Sequence, residues 1–119
     1  MAENIKSKEE RVAATVRKMK KMIGGIDKDQ REIVESLIEN AAFMCETLRD
    51  LQKDIDENGT VERYQNGANQ YGFKISSSVV AYNQMIKNYN QTCRQIMDIV
   101  GRTARGDADD GFNDFVSRK

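Results

Sequence analysis

Few side chains in this chain are able to do chemistry, and their types restrict what that chemistry can be. There is no His among the 119 residues, so neither an imidazole acid/base relay nor a His metal ligand is available. Asp50, Asp54, Asp56 and Glu57 crowd one stretch, but Asp56 falls on a different face from the others and all four are interspersed with Arg49 and Lys53. That is the pattern of a solvated helix end rather than of a metal cage. Cys45 and Cys93 lie on or beside apolar stripes and read as two buried thiols in a reducing compartment; a disulfide is within geometric reach if their helices pair antiparallel. Gly59, Gly67 and Gly72 have neither the spacing nor the following Lys-Ser/Thr of a phosphate-binding loop. The expectation is a protein that is not an enzyme, with no cofactor, metal or small-molecule substrate. What remains is binding chemistry. Arg17, Lys18, Lys20 and Lys21 form a cationic cluster suited to phosphates or to a solvated helix face, and Arg63 and Lys74 add two charges further on. Between them Tyr64, Tyr71 and Phe73 offer amphipathic area beside Gln65, Asn66, Asn69 and Gln70.

The elements that must position these groups are helical. Val34, Leu37, Ala41, Met44, Leu48, Leu51 and Ile55 repeat in steps of three and four, and so do Val79, Tyr82, Ile86, Tyr89, Cys93, Ile96 and Val100. Pro, the strongest interior helix breaker, is absent. The predicted fold is all-α: a long antiparallel helical hairpin with an additional N-terminal helix, a structured loop or small β-hairpin at the tip, and a flexible C-terminal tail. Asp27 and Gln30 resemble a capping box at the start of the first long helix, Asn58-Gly59 stops it, one of Ser76 to Ser78 caps the second, and Gly101 ends that one. Lys8 to Ile23 reads as the N-terminal helix, separated by Gly24-Gly25. The connector carries two β-compatible pieces, Val61 to Tyr64 and Gln70 to Phe73, around the turn-forming Asn66-Gly67.

Three segments follow: 1–26 as a basic helical segment, 27–100 as the helical-hairpin oligomerisation core, and 101–119 as a flexible tail. Charge divides along the same lines, with +4 in residues 1–26, −6 in 27–58, +2 in 59–100 and zero in 101–119, so the net charge of zero conceals a basic end and an acidic middle. Ile33, Ile38, Ala42 and Cys45 form a second apolar line on the first long helix, and Val80, Met85 and Met97 lie off the second seam. So wide an apolar arc must be covered, either by the N-terminal helix of the same chain or by neighbouring copies in a ring. In the tail, Phe112, Phe115 and Val116 share one helical face flanked by acids, as in segments that dock on a partner groove.

Several segments in order carry a family resemblance. LIENAAFM at Leu37 to Met44, YQNGANQYG at Tyr64 to Gly72, YNQMIKNYN at Tyr82 to Asn90 and the closing DDGFNDFV at Asp109 to Val116 resemble the small subunit of tailed-phage terminases. The likeness is to the class with a Y-x-N-G-x-N-Q-x-G loop, and it covers roughly residues 26 to 100. It implies a non-catalytic packaging factor that forms a homo-oligomeric ring, binds viral genomic double-stranded DNA near the packaging start site and regulates the terminase large subunit, which carries the ATPase and nuclease. DNA contact would then fall to Arg17, Lys18, Lys20, Lys21, Arg63 and Lys74. Oligomerisation would fall to Ile33, Ile38, Ala42, Tyr64, Tyr71 and Phe73, and partner docking to Phe112, Phe115 and Val116. Where relatives commonly have Thr-Lys-Lys-Ser after the loop glycine, this chain has Phe73-Lys74-Ile75-Ser76, one cation fewer and more apolar surface. No helix-turn-helix is evident at its N-terminus. The competing expectation is a helical protein-interaction adaptor without a nucleic-acid role, for which the acidic middle and zero net charge argue. No apolar run approaches the roughly 20 residues needed to span a bilayer, and no signal-peptide core is present. The expected location is the cytoplasm of the infected bacterial host, away from any membrane.

Overall fold

In the computed structural model, residues 7–117 are described, with side chains for residues 7–102. The chain order is α1 (Lys8–Ile23), α2 (Lys28–Asn58), β1 (Val61–Gln65), β2 (Tyr71–Ile75) and α3 (Ser77–Ser117). The expected helical hairpin, N-terminal helix and tip β-hairpin are all present. At 1.5 Å rise per residue α2 is about 46 Å long and α3 about 61 Å, and the principal extents are 82 × 34 × 21 Å. The hairpin therefore extends the rod beyond the helix ends.

α1 begins with a reciprocal cap: the Glu10 backbone N–H donates to Ser7 Oγ (3.1 Å), and the Ser7 N–H donates to Glu10 Oε1 (2.9 Å). This Ser-x-x-Glu box is one that sequence reasoning missed. The box expected at Asp27 and Gln30 does not form. Asp27 stands at the N-cap of α2 without a side-chain bond, and only its carbonyl accepts, from the Gln30 N–H at 3.0 Å. At the other end, the Gly59 N–H closes α2 on the Ile55 carbonyl (2.7 Å), as expected of Asn58-Gly59. α3 starts where Ser76 Oγ accepts from the Val79 N–H (3.2 Å).

α2 and α3 pack antiparallel. Asp54 accepts from the Ser78 hydroxyl, Gln52 donates to Tyr82 at 3.1 Å, and Ile38 shares a cluster with Ile96 far down the pair. α1 lies antiparallel along about the first two thirds of α2, since Lys8 reaches Thr47 (2.7 Å) and Phe43 (4.3 Å to the ring), whereas Lys20 reaches Glu35 (3.8 Å). The core sits where three helices meet: Val34, Ile38, Ala41 and Ile96 are buried, with Val16, Met19 and Ile23 of α1 packed against them. Nearer the tip only two helices cover each other. Leu48, level with the start of α1, is buried, but Leu51, Ile55 and Val79 beyond it are half-buried.

Two expectations fail in physical detail. α3 does not end at Gly101; it continues as helix to Ser117, so the segment expected to be a flexible tail is helical that far. Gly101 does not take the positive φ of a stop, an interior Gly costs a helix only about 1 kcal/mol relative to Ala, and no Pro follows to end it. Ile38 and Ala42, expected to meet a neighbouring subunit, are fully buried inside the chain, while Ile33 is exposed. Ile38 is covered by α1 and α3 of the same chain, and the start of the second apolar line, at Ile33, stays open. Among the described residues no helix is long and apolar enough to cross a membrane.

Candidate nucleic-acid and assembly surfaces

The α1 cluster is built by helical geometry. Val12, Val16, Met19 and Ile23 turn one side of α1 to the core, and Arg17, Lys18, Lys20 and Lys21 fall on the other side, all exposed. Lys20 leans on Glu35 of α2. Among the described residues Arg17, Lys18 and Lys21 have no ion-pair or hydrogen-bond partner, so their charge faces solvent. At the other end of the rod, Arg63 and Lys74 are occupied locally: the Arg63 guanidinium lies 4.0 Å over the Tyr71 ring, and Lys74 Nζ lies 3.4 Å from Glu62 Oε1. From the level of Glu35 to the end of α2 is about 35 Å at 1.5 Å per residue. The structure thus separates the six expected cations into two groups rather than uniting them.

α1 is fastened by a buried carboxylate that sequence reasoning missed. Glu46, only 4% exposed, accepts on Oε1 from Arg11 Nη1 (3.0 Å) and on Oε2 from the Thr15 hydroxyl (2.8 Å), and Arg49 Nε lies 3.3 Å from Oε2. Arg11 also bonds Asp50 at 3.1 Å. The Asp50 hydrogen bond, with the two negative charges near it, raises the Arg11 pKa above its already high ordinary value. A single Glu among ten acids carries no sequence mark of burial. Asp50 and Asp54, read from the sequence as part of a solvated helix end, have structural partners as well. Asp54 also accepts from the Asn58 amide (2.6 Å), and its hydrogen bonds, that from Ser78 foremost, hold its carboxyl below the usual range.

The two thiols are free and half-buried rather than fully buried. Antiparallel pairing puts Cys45 level with Tyr89, one turn from Cys93. Burial first, and then hydrogen bonding with Cys93, pushes the Tyr89 phenol up.

The tip hairpin is antiparallel, with Val61 opposite Ile75, Arg63 opposite Phe73 and Gln65 opposite Tyr71. Asn66-Gly67 does not form a two-residue turn; reversal takes residues 66–70, only Gly67 has positive φ, and the Asn66 N–H donates to the Gln70 carbonyl (2.7 Å). This register sets Tyr64 across from Gly72, where a Cβ would lie 2.6 Å from the Tyr64 hydroxyl, so a side chain at Gly72 would displace the ring. Because side chains alternate, Val61, Arg63, Tyr71, Phe73 and Ile75 share one face, while Glu62, Tyr64, Gly72 and Lys74 share the other. The second face is tied to α3: the Ser77 N–H and hydroxyl donate to Glu62 (3.2 and 3.0 Å) and hold its carboxyl below the usual range, with Lys74 adding to the effect. The first face stays exposed.

Comparison with protein families, curated proteins and solved structures returns no match.

Of the expected contact residues, Tyr64, Tyr71 and Phe73 are exposed at the tip, with Val61 and Ile75 as additional members. Their facing depends on strand register, which the five-residue reversal sets. The side chains of Phe112, Phe115 and Val116 lie outside the described residues. An apolar cavity of about 300 Å³ opens between α1 and α3 above Ile38, a feature no local spacing announced.

Proposed function

We propose that this chain is the non-catalytic small subunit of a viral DNA-packaging terminase, assembling as a ring that binds duplex genomic DNA near the packaging start and regulates a large ATPase/nuclease subunit. The observation that carries the DNA half of this reading is the solvent-facing set Arg17, Lys18 and Lys21, which has no partner among the described residues and lies opposite the packed side of α1. Unpaired surface cations neutralise phosphates at little desolvation cost and release counterions. The ordered motifs across the helical hairpin and its tip support the packaging half.

Replacing Arg17, Lys18 and Lys21 together by Ala is expected to leave folding intact, because all three are exposed. It should flatten the slope of log affinity against log salt by about 0.9 for each cation that meets a phosphate. Fluorescence anisotropy with duplex DNA from 50 to 200 mM salt reads this slope. Parallel slopes for wild type and variant would remove the cluster from the DNA surface.

The exposed apolar hairpin favours a second reading, a helical protein-interaction adaptor without a nucleic-acid role. Absence of wild-type DNA binding at 50 mM salt would put that reading first. For the large subunit, the segment with Phe112, Phe115 and Val116 is the proposed contact. Removing residues 107–119 should then preserve assembly and abolish stimulation of the large subunit's ATPase, and undiminished stimulation would reject this contact.

A further inference from the structure

The exposed face of the tip hairpin and the cavity near the base of the rod are complementary features of the same chain. At the tip Phe73 is 73% exposed, Ile75 61%, Tyr71 54% and Val61 53%, all on one side of a two-stranded sheet. An isolated hairpin is marginal in water, and its polar side is already used on α3. At the base, Met19 and Met22 of α1 and Met97 and Val100 of α3 wall a cavity of about 300 Å³ floored by Ile38 and Ile96, with Met97 64% exposed. An apolar cavity of about 150 Å³ suffices to hold benzene, so this one has room for a phenyl ring, and Met walls adapt to what enters. The two features cannot meet within one chain: from Ile38 to the end of α2 is about 30 Å of rigid helix, and the hairpin lies beyond it.

The geometry points to a head-to-tail contact in which Phe73 of one copy, flanked by Tyr71 and Ile75, enters the Met-walled cavity of the next. This deepens the reading of the chain as a self-assembling ring subunit by naming the interface. The occupant is a second copy because the chain itself carries the matching knob. Two aromatic side chains at about 150–250 Å² each, discounted for what is already covered, with two aliphatic neighbours, put the knob face at roughly 400 Å². One contact then buries roughly 800 Å² in total, short of the roughly 1,200 Å² of a stable pair. A copy in a closed ring makes two such contacts, one with its knob and one with its cavity. The interface is heterologous, the type that forms a ring when the rotation between copies closes and a filament when it does not.

The test uses the full chain and two surface variants, Phe73→Ser, which removes the knob, and Met97→Lys, which puts a charge on the cavity wall. Both positions are mainly exposed, so circular dichroism and melting should match wild type. In ¹⁵N-labelled Met97→Lys protein, the amide signals of residues 61–75 should shift on adding unlabelled Phe73→Ser protein, whose cavity is intact. They should stay in place on adding unlabelled Met97→Lys protein, whose cavity is not. Each variant alone should need at least tenfold higher concentration than wild type to assemble. Hairpin signals that fail to shift with the Phe73→Ser partner, or a Met97→Lys variant that assembles as wild type does, would overturn the contact. The ring reading is judged separately, by the mass of the wild-type protein in light scattering, so a wild-type oligomer with an indifferent Met97→Lys variant rejects the interface and leaves the ring.

Discussion

Truncating Ile38 to Ala is expected to destabilise the protein by about 2–5 kcal/mol, toward the upper half of that range. Ile38 is 1% exposed at the level where all three helices meet, and it touches the Val34, Ala41 and Ile96 cluster. It also floors the existing cavity, so the space left by its side chain adds to a void instead of being closed by a small shift of a neighbour. A domain of this size has about 5–15 kcal/mol to lose. Urea unfolding followed by circular dichroism should show a lower midpoint with an unchanged slope. A loss below about 1 kcal/mol would mean that α1 and α3 do not close over Ile38 as described. The same truncation deepens the proposed receptor for Phe73, so it belongs to a stability experiment and not to the assembly test.

Removing Arg11 should act more locally. Arg11→Ala leaves the Glu46 carboxylate buried with the Thr15 hydroxyl and an Arg49 that is itself mostly exposed. Breaking a buried pair costs about 3–5 kcal/mol when one charge is left uncompensated. Here Arg11 is 29% exposed and Arg49 stays, so about 2–3 kcal/mol is the expected loss. No α1 residue is fully buried, so polar contacts supply much of what sets its position on α2. Hydrogen exchange should therefore show α1 amides losing protection while the α2–α3 core keeps its own. Equal loss throughout would show that α1 is an inseparable part of the cooperative unit. Glu46→Gln is the companion variant: it keeps shape and one acceptor, and should cost less.

Legibility differed from element to element. α1 was read to the residue, and α2 to within one residue at each end, because Gly24-Gly25 and Asn58-Gly59 interrupt the helical period with residues that leave it cheaply. The strands were visible around Asn66-Gly67, but their register was not. A two-residue turn there would have paired Gln65 with Ala68, whereas the five-residue reversal pairs Gln65 with Tyr71. That shift decides which side chains meet, setting Tyr64 over Gly72 and gathering Val61, Phe73 and Ile75 on the open face. The expected stop at Gly101 failed because a glycine permits a stop without requiring one. Asp27, the expected cap, makes no side-chain bond, whereas at Ser7 both bonds of a capping box form. Residue type alone does not orient a cap.

By itself the amino-acid sequence determined the local order of this protein: three helices, a β-hairpin between the two long ones, the two apolar seams that join them, and a cationic side on α1. These follow from periodicity and from residues whose backbone preferences act over a few positions. Tertiary structure alone decided what covers the second apolar line, burying Ile38 and Ala42 within the same chain. It also set Glu46 among two arginines and a threonine, left the Phe73 face open at the tip, and hollowed the cavity beside Met97. Each of these depends on which surfaces meet across long sequence separation. A pattern of apolar residues demands cover without naming what supplies it.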